Sequence, residues 1–138
     1  ETGALARLQS DPLIGELTRI RAGRVFARFV ARLRELARLL AGRDALAVGV
    51  RALPSDGAAA WVENARGLLI HLVRFEDERA VTYRIVAPTE WNFHPEGAMA
   101  AALVGSPAPD PETLTLRAAR IAHSLDPCVA CRVEIDDA

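Results

Sequence analysis

Apolar residues recur every three or four positions along the first third of the chain, as on one face of an α-helix. Asp11 followed by Pro12 predicts a helix start, because aspartate caps free N–H groups and proline suits the first helical position. A stronger stripe after Gly23 stops at Gly42 and consists of Phe26, Phe29, Val30, Leu33, Leu36, Ala37 and Leu40. The pattern predicts one long amphipathic helix, or two helices joined near Gly23.

Several arginines accompany this stripe and lie mostly off it: Arg24, Arg28, Arg34 and Arg38. They could form a binding face for an anionic partner. Glu35 interrupts the series, however, and the charge of the whole chain is balanced. We therefore expect a solvated helix face.

The middle of the chain changes to the two-residue alternation that is typical of β-strands. Residues 61–75 are rich in Val, Leu and Ile, a polar cluster follows at 76–79, and apolar residues alternate with polar ones over 81–85. This order predicts an antiparallel hairpin. Residues 68–73 are apolar on both faces except at His71, so we expect this arm to be covered on both sides.

The last third is predicted to be mainly helical. Residues 88–95 are irregular, residues 97–104 favour a short Ala-rich helix, and Asp110 with Pro111 repeats the earlier helix-start signal. An apolar stripe then runs to Asp126 through Leu114, Ala118, Ile121, Ala122 and Leu125. The class is α+β, with long amphipathic helices around a small antiparallel β-hairpin sheet. Residues 1–138 form a single domain.

Composition narrows the function classes. The chain has 138 residues and a formal net charge of −1, which removes the positive field that nucleic-acid binding usually requires. No apolar run approaches the roughly 18 residues of a membrane span, and no signal-peptide pattern occurs. We therefore expect a cytoplasmic protein. Two cysteines cannot build a disulfide framework.

The two cysteines, Cys128 and Cys131, are the first candidates for chemistry. Their spacing fits half a zinc site, a thioredoxin-type redox pair, a disulfide or two incidental semi-buried residues. His71 on an apolar strand fits a core histidine or a ligand. Arg66 follows Glu63 at the start of the strand, where a plain salt bridge would explain it equally well.

Several motifs together resemble the large subunits of nickel–iron hydrogenases. The segment DPCVAC at 126–131 is similar to the C-terminal motif of that family. Other segments match in the same order, namely ETGALAR at 1–7, ENARGLLIH at 63–71, VAPTEWNFHP at 86–95 and ALVGSPAPDP at 102–111. Order and spacing are kept over roughly residues 60–132. Ordered matches of this kind are far more specific than one C-x-x-C pair.

The resemblance implies roles for four residues. Cys128 matches a terminal nickel ligand, and Cys131 matches the thiolate that bridges nickel and an iron carrying cyanide and carbonyl ligands. Soft thiolates suit both metals. Arg66 falls on an arginine held above the metals and would be catalytic only in an enzyme. His71 matches a histidine close to the site, where it would contribute to cofactor binding.

Two departures favour a protein that is not an enzyme. The family supplies a second, N-terminal C-x-x-C, which this chain lacks, and it usually has a magnesium-binding histidine where Glu134 stands. The departures resemble the branch of large-subunit-like assembly proteins called HupK and HoxV. The chain begins at Glu1 without a methionine, so we expect the C-terminal fragment of a longer protein of this kind.

The branch implies a maturation scaffold that transiently holds the iron cyanide/carbonyl fragment through Cys128 and Cys131. Its implied partners are hydrogenase maturation proteins and the hydrogenase large subunit. The alternative is the C-terminal part of a catalytic nickel–iron hydrogenase, which oxidises or evolves dihydrogen at a nickel–iron centre. A third reading is a degenerate relative that only binds other proteins.

Overall fold

The computed structural model describes residues 1–20, 23–107 and 109–135. Within them three helices precede a four-stranded sheet, and three further helices follow it. The helices are α1 (Ala4–Arg7), α2 (Pro12–Arg19), α3 (Arg24–Leu40), α4 (Pro88–Phe93), α5 (Ala98–Leu103) and α6 (Pro111–Ser124). The strands are β1 (Val48–Leu53), β2 (Gly57–Asn64), β3 (Gly67–Glu76) and β4 (Arg79–Val86). None of the described helices is both long enough and apolar enough to cross a membrane.

The sheet is a meander in the order β1-β2-β3-β4, with each strand antiparallel to its neighbour. The predicted hairpin is therefore present as β3 and β4. Two further strands precede it, because the run over 61–75 is broken by a turn at Ala65 and Arg66. Small residues dominate the start of β2, and alanine and glycine give a weak strand signal. The predicted hairpin sheet is thus correct in class and too small by two strands.

One face of the sheet is open. The side chains that alternate onto it are Val48, Val50, Ala60, Val62, Leu69, His71, Val73, Tyr83 and Ile85. The residues that β3 contributes, Leu69, His71 and Val73, are half-buried, while Val50 is 75% exposed and Ile85 is 45% exposed. The expected cover over both sides of residues 68–73 is therefore only partial on this face. The helices meet the sheet at its β2–β3 end, where α4 contacts β3.

The hydrophobic core lies among α1, α2 and α3 and comprises Ala4, Leu5, Leu8, Ile14, Ala27 and Ala31. Ala27 and Ala31 are small, so α1 and α2 approach α3 closely on that side. The same side of α3 buries Arg28 and Glu35. The expected solvated arginine face is therefore wrong at Arg28, which is 4% exposed, and the large apolar side chains of α3 point outward.

A buried ion cluster around Arg7 joins this helical core to the sheet. The Arg7 guanidinium donates to both Glu35 carboxylate oxygens, at 2.6 and 2.7 Å. It also donates to Glu63 on β2 and, at 3.1 Å, to the carbonyl oxygen of Asn64. These carboxylate partners raise the pKa of Arg7 against the opposing effect of burial. The cluster therefore fixes the end of β2, immediately before Arg66.

Asp11 begins α2 as predicted and also ties α2 to α3. Its carboxylate accepts from the backbone N–H of Leu13 at 3.1 Å and from Arg34 Nε at 2.6 Å. The hydrogen bond from Arg34 is the largest of the effects that lower the pKa of Asp11. The helix break near Gly23 then separates α2 from α3, which is the two-helix alternative of the sequence pattern.

We expect Asp11→Asn to lower the melting temperature at pH 7, because asparagine still caps a helix but cannot pair with Arg34. A carboxylate whose folded pKa is lowered stabilises the fold above its unfolded pKa of 3.8 and loses that effect as the pH falls through the folded value. The melting-temperature gap between wild type and variant should therefore be full at pH 5–7 and shrink below about pH 3.8. Asp77→Asn in the exposed β3–β4 turn is the control. A gap that grows on acidification would contradict this assignment.

The C-terminal third contains one helix that the pattern missed. Residues 88–95 are predicted to be irregular, whereas Pro88–Phe93 forms α4. Pro88 occupies the first turn, and the Glu90 carboxylate accepts from the backbone N–H of Ala87, so a proline and an acidic cap stabilise this short helix. The predicted helices over 97–104 and from Pro111 onward are confirmed as α5 and α6.

Candidate functional site

The first residues of the chain cross the end of the sheet and connect it to α4. The backbone N–H of Thr2 donates to Asn92 Oδ1 at 3.0 Å, and Asn92 Nδ2 donates to the carbonyl oxygen of Thr2 at 3.3 Å. The hydroxyl of Thr2 accepts from the backbone N–H of Leu68 at 2.9 Å. Asn92 is 2% exposed. Its side-chain amide therefore supports a small cleft, the cleft at Arg66, which is lined by the N-terminal segment, Arg66 and Asp126.

Gly67 lets this crossing segment lie against the β2–β3 turn. Its φ is +132°, and a Cβ atom there would lie 2.5 Å from Thr2 Cγ2. Only glycine satisfies both the dihedral angle and the close approach. The preceding residue, Arg66, is thereby held at the tip of the turn beside the N-terminal segment.

Arg28 of α3 joins the N-terminal segment to the end of α6. Its Nε and Nη2 atoms donate to the Glu1 carboxylate at 2.8 and 3.1 Å. Its Nη1 atom donates to Ser124 Oγ at 2.8 Å, and that hydroxyl donates to the carbonyl oxygen of Ile121. The last turn of α6 is therefore tied to α3 through a buried guanidinium.

Asp126 forms ion pairs with two arginines from different parts of the fold. Arg66 Nε and Arg32 Nη1 each lie 3.5 Å from the same oxygen, Asp126 Oδ2. Asp126 has φ +53°, and its backbone N–H caps α6 by donating to His123. The chain turns there and continues to Cys128. The predicted site residue Arg66 is thus brought to the base of the cysteine segment by an ion pair that spans 60 positions of sequence.

The thiols of Cys128 and Cys131 are both free and exposed. They lie in a segment without regular secondary structure that follows Pro127. Within the described part of the chain, His, Cys, Asp and Glu side chains form no group of three or more that could hold a metal ion. In the described residues the candidate metal donors are therefore two soft thiols, which follow Asp126 and its two arginine partners along the chain.

The remaining predicted site residue lies elsewhere. His71 sits on the open sheet face, where its Nδ1 atom is at hydrogen-bond distance from the hydroxyl of Tyr83, and it does not line the cleft at Arg66. Glu134 is exposed and lies 3.3 Å from Arg132 Nε. The sequence pattern did not single out Arg32 or Asn92, and it placed Arg28 only in the arginine series that was expected to be solvated. Asn92 lies in the segment VAPTEWNFHP, which resembles a family motif. Arg28 and Arg32 are four residues apart, so both lie on one face of α3.

A protein-family model described as nickel-dependent hydrogenase matches residues 21–134. The hydrogenase expression/formation protein HupK of Rhizobium leguminosarum is 42% identical over 88 residues, which cover 62% of this chain and 24% of HupK. The hydrogenase expression/formation protein HoxV of Cupriavidus necator is 39% identical over 128 residues, which cover 81% of this chain and 33% of HoxV. The hydrogenase-2 large chain of Escherichia coli is 35% identical over 95 residues, which cover 62% of this chain and 17% of the large chain.

The chain thus spans about a quarter to a third of the length of these two expression/formation relatives. The family match includes Arg28, Arg32, Arg66, Asn92 and Asp126, which line the cleft at Arg66, and it also includes the cysteine segment. The resemblance predicted from the ordered motifs is therefore confirmed. The chain belongs to the nickel-dependent hydrogenase family.

Proposed function

We propose that this chain acts in hydrogenase maturation, as the part of a scaffold that transiently holds an iron cyanide/carbonyl fragment through Cys128 and Cys131. The observation that carries the proposal is the pair of free, exposed thiols directly after the Arg32–Asp126–Arg66 cluster. The similarity to two expression/formation proteins supports a maturation role.

The donor set suits a cargo that brings its own ligands. Two thiolates leave most coordination positions of an iron ion unfilled, and cyanide and carbonyl groups would occupy several of these positions. Thiolate sulfur is a soft donor that suits iron. Because both thiols are exposed, such a fragment could be delivered and removed without opening the core.

Arg66 is the residue that we propose recognises the cyanide groups. A guanidinium has five N–H donors in a fixed plane, and its Nε atom is the one that faces Asp126. The side chain is 45% exposed, so its remaining donors are accessible. Cyanide is an anionic hydrogen-bond acceptor, and charge-assisted hydrogen bonds are the stronger kind. Asp126 would then position Arg66 toward the cysteine segment, and His71 would have no direct contact with the cargo.

The proposed partners are the maturation proteins that deliver the fragment and the hydrogenase large subunit that receives it. The expression/formation relatives are 42% and 39% identical to this chain and the hydrogenase-2 large chain is 35% identical, which favours the scaffold over the catalytic alternative. The exposed cysteine segment is also accessible to a second protein, as a transfer step between two thiolate sites requires.

The test is the metal content of the protein expressed from its own gene. It is purified without oxygen from cells that produce active hydrogenase, and iron, nickel and the infrared bands of bound cyanide and carbonyl are measured. We expect a stoichiometric amount of iron with both ligand types and no stoichiometric nickel. Nickel together with iron would contradict the scaffold and indicate a catalytic subunit. The absence of both iron and nickel would also contradict the proposal.

A further inference from the structure

A groove lies beside the first turns of α3. It has a volume of about 790 Å³ and opens to solvent between the end of α2, the first turns of α3 and one face of α6. Arg28 is the one described residue that lines both this groove and the cleft at Arg66. The groove is therefore a separate surface from the cysteine site.

The lining of the groove combines apolar surface with one sign of charge. Ile20, Phe26 and Leu116 are large, and each is more than half exposed. The arginines of the lining are Arg19, Arg24, Arg28, Arg117 and Arg120, and no aspartate or glutamate is among its described residues. Groups of one sign around a low-dielectric surface attract a ligand of the opposite sign.

Two of these arginines are available to a ligand. Arg19 pairs with Glu16, and Arg24 and Arg28 face Glu1. Arg117 and Arg120 stand one turn apart on α6, and no carboxylate of the described residues lies within 4.0 Å of either guanidinium. They therefore present two adjacent cations at the edge of the apolar floor.

The apolar surface continues out of the groove along α3 with the spacing of a helix-pairing seam. Its members are Phe26, Phe29, Leu33, Leu36 and Leu40, at alternate steps of three and four residues, and all are exposed. This is the a/d pattern on which a second helix packs. Phe26 and Leu40 are 14 positions apart, which corresponds to about 21 Å of helix. A small molecule is too short to cover this length.

We infer that an acidic amphipathic helix of a partner protein docks here, with its apolar side on the α3 seam and its carboxylates on Arg117 and Arg120. The charge of α3 disfavours a second copy of this chain, because a parallel or antiparallel copy would bring its own arginines against these ones. The inference does not depend on iron binding by Cys128 and Cys131.

The test measures binding of a designed helical peptide to the full 138-residue chain. The probe is a fluorescent three-heptad peptide with leucine at a and d and glutamate at the flanking positions; the comparison peptide has lysine in place of glutamate. We expect the acidic peptide to bind in a salt-sensitive manner and the basic peptide not to bind. Replacing both cations, Arg117→Glu with Arg120→Glu, should weaken binding at least about tenfold.

Two exposed arginines of β4 provide the matched control, since Arg79→Glu with Arg84→Glu makes the same charge change away from the groove. That variant should bind the acidic peptide like wild type. Phe26→Ser should weaken binding without a charge change. Equal binding of the acidic and the basic peptide would overturn the inference. An equal loss of binding in the two double arginine variants would overturn it too. Dimerisation of the chain that Phe26→Ser abolishes would also overturn it, because a second copy would then be the occupant.

Discussion

Cells carrying Cys128→Ser or Cys131→Ser should lose most of their active hydrogenase, and the purified variant should lose its iron. A serine hydroxyl stays protonated near neutral pH and is a harder donor than a thiolate, so either change removes one of only two protein donors. Loss of an outer-shell partner already costs metal sites roughly 10- to 100-fold, and loss of a direct donor should cost at least as much.

The structure supplies a matched control between the two cysteines. Val129 is 66% exposed in the same segment, so Val129→Ser introduces the same hydroxyl without removing a sulfur donor. Both thiols are exposed, and neither cysteine variant should change the melting temperature. Hydrogenase activity and iron content are measured for all three variants. Normal maturation in both cysteine variants would refute the proposed holding role.

Arg7→Met is expected to be the most destabilising single substitution at the junction of helices and sheet, by about 3–5 kcal/mol. The change leaves the carboxylates of Glu35 and Glu63 facing each other with 8% and 18% of their side chains exposed and without their shared cation. Removing one partner of a buried ion cluster is costly because the remaining charge is desolvated without compensation. Urea unfolding at pH 7 measures the difference.

Two further variants separate this cause from a simple loss of side-chain volume. Arg7→Met combined with Glu35→Gln and Glu63→Gln removes the stranded charges and should recover much of the lost stability. Arg19→Met removes an arginine whose ion pair with Glu16 is exposed, and it should change stability little. If the triple variant were less stable than Arg7→Met alone, stranded charge would not be the reason.

Local signals in the sequence were sufficient for much of the secondary structure. Aspartate followed by proline marked the starts of α2 and α6, because capping and the fixed φ of proline act within one turn. A continuous apolar run marked β3, and alternation over residues 81–85 marked β4. The short helix α4 was missed, since its cap is formed by Glu90 and its buried residues, Pro88 and the polar Asn92, make no apolar stripe.

The family relationship was also accessible from sequence, because motif order and spacing survive without knowledge of contacts. The same motifs pointed to Arg66, Cys128 and Cys131. They could not show that Asp126 joins Arg66 to the cysteine segment, or that His71 faces Tyr83 on the open sheet face. Those placements depend on the pairing of strands and on the approach of α6 to the β2–β3 turn.

The orientation of α3 was decided by tertiary structure alone. Its apolar stripe and its arginines obey the same helical period, so the pattern does not say which side meets the core. Ala27 and Ala31 admit α1 and α2 at close range, while carboxylates from distant parts of the chain neutralise the arginines on that side. A sequence by itself determines periodicity and local caps. Which face is buried depends on the partners that reach it, and here those partners compensate buried charge and leave the large apolar side chains outside.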